Sequence, residues 1–143
     1  MKLNIVPYES IGPIKLGMPR DEIRSLLNSK VVEFEKSEFD KNTTDAFDEL
    51  GMHVFYKEDD TCESVEVSEP ALAVFDGMNL VGTSFKKAKE LLQKYDKGLS
   101  IDGNGLISYQ LGISLYLEDT DDESLPVEAV MVFERGYYDE IYK

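Results

Sequence analysis

The sequence predicts one α+β domain spanning residues 1–143, built from two tandem helix-plus-antiparallel-strand repeats whose helices pack on one face of an antiparallel sheet. Three observations point there. A chain of 143 residues, 42% of them apolar, can bury one core of ordinary size. Three sequence blocks recur in the same order at offsets of 61 to 65 residues. Within each recurrence, a helical apolar period gives way to strand alternation.

The first block sets residues 17–27 (GMPRDEIRSLL) against residues 82–92 (GTSFKKAKELL). Both read as a glycine turn entering a short helix. Pro19 suits the first helical position, where its missing N–H costs nothing, and Asp21 and Glu22 sit where the helix dipole favours acids. Ile23, Leu26 and Leu27 then make one apolar stripe. In the second copy Thr83 or Ser84 caps the helix, Phe85, Ala88, Leu91 and Leu92 form the stripe, and Gly98 terminates it. Lys86, Lys87, Lys89 and Lys94 face water on this reading.

Strands follow each helix. Residues 31–36 alternate, Val32 and Phe34 against Glu33 and Glu35, and residues 102–105 (DGNG) are a hairpin turn before a strand at 106–110. Leu50-Gly51 and Leu111-Gly112 each introduce a strand, and residues 62–67 match residues 127–132. The acidic stretches 57–61 and 118–123 are turns between strands, and residues 71–75 are a strand leading into the second copy. The repeats run approximately over 11–70 and 76–133.

Composition bounds the partners. Twenty-nine acids against fifteen Lys and Arg give a formal charge of -14 and a pI near 4.4. That field repels nucleic-acid phosphates and anionic lipids and speeds encounter with cationic proteins. No nucleic-acid or membrane partner is expected. Residues 1–7 lack a signal-peptide run and nothing approaches the roughly 18 apolar residues of a membrane span, so a cytoplasmic protein is expected. Cys62, the single cysteine, excludes an internal disulfide and fits a reducing compartment.

No catalytic machinery is expected. His53 is the one histidine and sits in a strand pattern; Cys62 is a small apolar strand residue whose acidic neighbours Asp59, Asp60 and Glu63 oppose a thiolate. One His and one Cys cannot build a usual zinc site. Calcium is the metal that Asp119, Asp121, Asp122 and Glu123 bring to mind, but the segment lacks the glycine and terminal glutamate of a calcium loop, and a solvated turn is preferred. Residues 103–105 do not make a phosphate loop. No cofactor is expected. The competing classes are a small-molecule-binding or carboxylate-using enzyme or sensor, and a structural adaptor.

Alternation offers a binding surface instead. With Val54, Val65, Leu115 and Val130 turned to the helices, His53, Phe55, Ser114 and Tyr116 face the other way, joined by Glu66. Aromatic anchors among carboxylates suit a protein interface. The partner-binding set is therefore His53, Phe55, Glu66 and Tyr116, with Glu58, Asp59, Asp60, Asp119 and Asp121 supplying charge. The alternative is that residues 37–48 or 133–142 cover this face. Oligomeric state is not legible.

The run Ile11-Gly12-Pro13-Ile14-Lys15-Leu16-Gly17-Met18, entering a helix with Ile23, Leu26 and Leu27 and followed by a hairpin, then the same again, resembles the repeat unit of beta-lactamase-inhibitor-like and BamE-like domains. It is also similar to small acidic bacterial immunity proteins of toxin and contact-dependent inhibition systems. The first likeness implies a sheet surface, at His53, Phe55, Glu66 and Tyr116, that grips an enzyme. Those inhibitors are secreted and disulfide-bonded and BamE-like proteins are lipoproteins, so an intracellular immunity role is what the resemblance leaves. It implies a cationic protein partner, a toxin such as a basic nuclease, neutralised by covering its active site or substrate surface.

Overall fold

The computed structural model describes residues 1–39 and 42–138. Among these, thirteen strands form two sheets and only two short α-helices occur. Strands β1 (Lys2–Val6), β2 (Ser10–Ile11) and β3 (Ile14–Lys15) lead into α1 (Arg20–Leu27). Then come β4 (Val32–Phe34), β5 (Thr44–Phe47), a 3-10 turn (Asp48–Leu50), β6 (Met52–Tyr56) and β7 (Cys62–Val67). Strands β8 (Leu72–Phe75) and β9 (Met78–Asn79) precede α2 (Phe85–Gln93). The chain continues through β10 (Ser100–Asp102), β11 (Gly105–Ser108), β12 (Ile113–Tyr116) and β13 (Ala129–Phe133).

The expected α+β class is therefore corrected to a β-rich fold. An eight-stranded antiparallel sheet, ordered β10-β11-β12-β13-β7-β6-β5-β4, is accompanied by a five-stranded mixed sheet, β3-β2-β1-β8-β9, in place of a single sheet backed by two tandem repeat helices. The second sheet is held together by the parallel pair β1–β8, with Leu3 opposite Ala73. Parallel partners need a long crossover, so no local pattern in residues 1–7 announces this pairing.

The helices are too short to cover the large sheet alone. Ile23 and Leu27 of α1 and Phe85, Ala88, Leu91 and Leu92 of α2 share one core with Leu3, Ile11, Ile14 and Ala73 of the small sheet and Val54, Val65, Leu115 and Val130 of the large one. Local details differ from expectation. Pro19 is the N-cap of α1 rather than its first helical residue; Leu26 is 49% exposed while Arg20 is buried on the core side; and α2 ends at Gln93, ahead of Gly98. Ser84 caps α2, its side chain accepting from the Lys87 N–H.

Backbone contacts recur in the two halves of the chain. Gly17 N–H donates to the Cys62 carbonyl as Gly82 N–H does to Val127, and the caps Pro19 and Ser84 bridge to Thr61 and Pro126. Gly51 and Gly112 hold φ of +70° and +69°. A Cβ on Gly51 would lie 2.3 Å from the Ser68 carbonyl oxygen, so this corner accepts only glycine. The meanders β4–β7 and β10–β13 join at β7–β13, and because these two strands are antiparallel, the turns preceding them lie at opposite ends of the sheet. No described helix is long and apolar enough to cross a membrane.

Candidate functional site

The β6–β7 end of the large sheet carries a cluster of buried charge. Arg20, just after the cap of α1, is 7% exposed, and Asp45 in β5 is fully buried. Arg24 grips the Asp45 carboxylate with two hydrogen bonds, Nε to Oδ2 at 2.8 Å and a terminal nitrogen to Oδ1 at 2.5 Å. Tyr56 donates its hydroxyl to Asp45 Oδ2 at 3.0 Å, and the Arg20 guanidinium stacks 4.1 Å from the Tyr56 ring centroid. Glu33 accepts from both arginines.

The second half of the chain needs none of this. Phe85 follows the cap of α2 as Arg20 follows that of α1; Leu106 faces Leu115 across the ladder as Asp45 faces Val54. Leu117 succeeds β12 where Tyr56 completes β6, and Phe85, Leu106 and Leu117 are all buried in the main core. The fold closes this corner with hydrocarbon in one half and with an arginine, a carboxylate and a phenol in the other. A buried ion cluster is no better for stability than well-packed apolar side chains, so packing alone does not call for it.

What the cluster does is hold a loop. Arg20 donates to the Thr43 hydroxyl, to the Thr43 carbonyl at 2.7 Å and to Asn42 Oδ1, while Asn42 Nδ2 donates to the Lys57 carbonyl and to Asp60 Oδ1. The β4–β5 loop is thereby tied to the β6–β7 turn. Together they wall a cleft of about 660 Å³. Phe55, Tyr56 and Tyr137 give it aromatic sides, and Phe39, 85% exposed, stands at its mouth. Glu58, Asp59, Glu63 and Glu134 contribute acids and Lys36, Lys57 and Arg135 cations.

The cleft's cations are already engaged. Lys57 pairs with Glu134 at 3.1 Å, Lys36 Nζ sits 4.6 Å from the Phe55 ring centroid, and Arg135 lies over the Tyr8 ring at 4.2 Å. Titration follows the same geometry. Hydrogen bonds from the Thr61 hydroxyl and N–H hold the Asp59 carboxyl below its usual range, and the Arg24 hydrogen bond does so for Glu33. Burial and then the Asp45 charge push the Tyr56 phenol well up. Burial, followed by the charges of Glu134 and Glu63, pushes the Cys62 thiol up to about 12, and burial takes Tyr137 to about 12. Among the described residues no group of three His, Cys, Asp or Glu is placed to hold a metal ion.

The sequence-predicted binding residues divide into three places. Glu58, Asp59 and Asp60 occupy the β6–β7 turn, where the first two line the cleft and Asp60 is tied to Asn42 and lies 3.5 Å from Arg20. His53 and Glu66 are cross-strand partners on the outer face, with His53 edge-on to Phe34 and 3.7 Å from Asp48. Phe55 is 7% exposed in a second cluster with Met131 and Phe133, against which Tyr116, Tyr137 and Tyr138 pack. Asp119 and Asp121 lie in the β12–β13 turn at the opposite end of the sheet, Asp119 accepting from the Asp121 N–H.

Residues 134–138 thus cover part of the outer face, with Tyr138 bonding to Ser114 and Tyr116. Residues 40–41 and 139–142 of the two expected covering segments lie outside the described residues. Arg20, Arg24, Asp45 and Phe39 escaped the sequence reading. Aligning the halves position by position exposes Arg20 and Asp45, which face Phe85 and Leu106, but not Arg24, which faces the equally cationic Lys89. Phe39 is signalled only by being a phenylalanine in a polar loop.

The sequence matches no family model and no curated protein. The fold is similar to the crystal structure of the uncharacterized protein yfeY from Escherichia coli, with a TM-score of 0.58 and 15% identity, covering 94% of this chain and 100% of that one. At that identity the likeness concerns the fold alone.

Proposed function

We propose that this protein is a non-catalytic inhibitor of the immunity type, acting in the cytoplasm, which captures a basic toxin of the nuclease kind with the β6–β7 end of its large sheet. The asymmetry of the two halves carries the reading. A buried arginine–carboxylate cluster stands at the corner where it holds a cleft wall in place, and the corresponding corner of the other half is closed by apolar packing. Charge supports it: residues 33–69 hold thirteen acids, Asp45 buried among them, against three lysines. Such a field raises association rates by roughly 10- to 1,000-fold at low salt. Asp59 has its carboxyl moved down, which keeps it ionised and suits it to pairing with a cation rather than to donating a proton.

The test is association of the purified protein with a basic toxin encoded beside its gene, followed by stopped flow at low and high salt. Association should slow steeply with salt, and Glu58→Lys should slow it further, since Glu58 is exposed and has no partner among the described residues. Asp60 is a poorer choice because its reversal also removes the Asn42 contact. A salt-insensitive rate, or no complex with any such toxin, refutes the reading. The cleft volume also favours a second reading, a small-molecule binder, since it falls within the roughly 300–1,000 Å³ of ligand pockets. Saturable binding of a neutral metabolite that protects the protein thermally would favour that reading.

A further inference from the structure

The cleft already displays the chemistry of the ligand it suits. Two of the chain's own ammonium groups are seated there, Lys36 over the face of Phe55 and Lys57 against Glu134. They differ in how firmly they are held. Lys57 leaves the β6–β7 hairpin, where its N–H and carbonyl are bonded to Thr61 and Asp60, and its ammonium has a carboxylate partner. Lys36 is exposed on the β4–β5 loop and is held by the ring of Phe55, with no carboxylate within ion-pair distance among the described residues. An aromatic face attracts a cation more weakly than a half-buried carboxylate at 3.1 Å does, so Lys36 is the replaceable occupant.

Resting on the reading above, we propose that the cleft is a receptor for one arginine or lysine side chain of the partner, which displaces Lys36 from Phe55, packs its stem against Phe39 and takes Glu58 as counter-charge. Charge decides between occupants. An anionic group meets four acids on the walls and finds Lys57 neutralised by Glu134, with Lys36 and Arg135, each seated on a ring, left to answer it. A purely apolar group gains contact with Phe39, Phe55 and Tyr137 but leaves Glu58 unanswered. A long cationic side chain meets both requirements, its methylenes on the rings and its head among carboxylates. In the free protein Lys36 shields the Phe55 face, so its release is part of binding.

The experiment uses four blocked pentapeptides, Gly-Gly-X-Gly-Gly with X as arginine, lysine, norleucine or glutamate, titrated into the 15N-labelled full chain at fixed ionic strength. Arginine and lysine peptides should give saturable shifts at the amides of Thr43, Thr44, Lys57 and Gly136, while norleucine and glutamate peptides should not. Lys36→Met should tighten the arginine peptide by about 2- to 5-fold, the size of one exposed cation–π competitor removed, whereas Lys97→Met, which makes the same charge change away from the cleft, should not. Glu58→Gln should weaken binding and Glu118→Gln should leave it unchanged. Equal shifts with the glutamate peptide, shifts spread over residues 118–123, or the same affinity for Lys36→Met and Lys97→Met would overturn the proposal. A salt-dependent toxin complex combined with any of these results rejects the cleft receptor while leaving the inhibitor reading in place. The absence of any toxin complex alongside cleft-specific shifts does the reverse.

Discussion

Asp45→Ala should be among the most damaging single substitutions in this protein, and copying the other half of the chain into the same corner should repair it. Asp45 is fully buried and answers Arg24 through two hydrogen bonds, Tyr56 through one, and Arg20 at 4.0 Å. Removing it leaves Arg24 with Glu33 alone and takes the acceptor from the buried Tyr56 hydroxyl, while Arg20 keeps Glu33, Asp60 and Thr43. Breaking a buried pair in this way costs about 3–5 kcal/mol. At roughly 3 °C per kcal/mol for a chain of this length, Tm should fall by about 10–15 °C.

The triple substitution Arg20→Phe, Asp45→Leu, Tyr56→Leu instead reproduces Phe85, Leu106 and Leu117, which the fold already packs in the corresponding corner. Replacing a buried ionic cluster with hydrocarbon ranges from neutral to stabilising by about 1–4 kcal/mol. Urea denaturation of the wild type, Asp45→Ala and the triple variant measures both effects, and a cycle through the single variants should be strongly non-additive. Amide exchange at residues 42–44 should accelerate in the triple variant, because Thr43 loses its anchors on Arg20. A triple variant less stable than Asp45→Ala would show that the charged corner is a structural requirement, and the argument from asymmetry would fail.

Phe55→Ala should cost about 3–5 kcal/mol of stability, since the ring is 7% exposed between Met131 and Phe133; a loss below about 1 kcal/mol in urea would show that it is not a core residue. Glu33 has a depressed carboxyl in the folded state, so its contribution is present above the ordinary glutamate range and is lost as pH falls through its folded value; the urea midpoint should drop on acidification below about pH 4, and Glu33→Gln should flatten that drop. An unchanged slope would remove Glu33 from the network. Cys62, buried with its thiol pushed up to about 12, should resist iodoacetamide at pH 8 in the native protein and react fully in urea; equal rates in both states would contradict its burial.

Much of the site's logic was present in the sequence but split between distant residues. The strand alternation that turns Val54 and Val65 inward and Phe55 outward follows from a period of two, and the two apolar clusters keep it. What alternation cannot say is whether an outward residue meets solvent. Phe55 is enclosed because residues 134–138 return across β7, bringing Tyr137 and Tyr138 onto Phe133. For the same reason Asp119 and Asp121, which composition grouped with Glu58 and Asp59, are separated from them by the length of the sheet: charge counts carry no direction, and the antiparallel β7–β13 junction supplies one.

Local chemistry in the sequence alone determined the positions of both helices, the turns at 57–61 and 118–123, the acidic field and the inward-facing valines, because each depends on neighbours a few residues away. Tertiary structure alone decided the rest. The parallel β1–β8 pair that makes a second sheet, and so makes the protein β-rich, joins Lys2 to Leu72 across an interval no periodicity spans. The meeting of Arg20, Asp45 and Tyr56 likewise depends on where a helix start, a strand and a hairpin end come to rest against one another. Charges so far apart in sequence are ordinary surface residues until folding removes the water between them, and only then does their pairing become a constraint strong enough to shape a cleft.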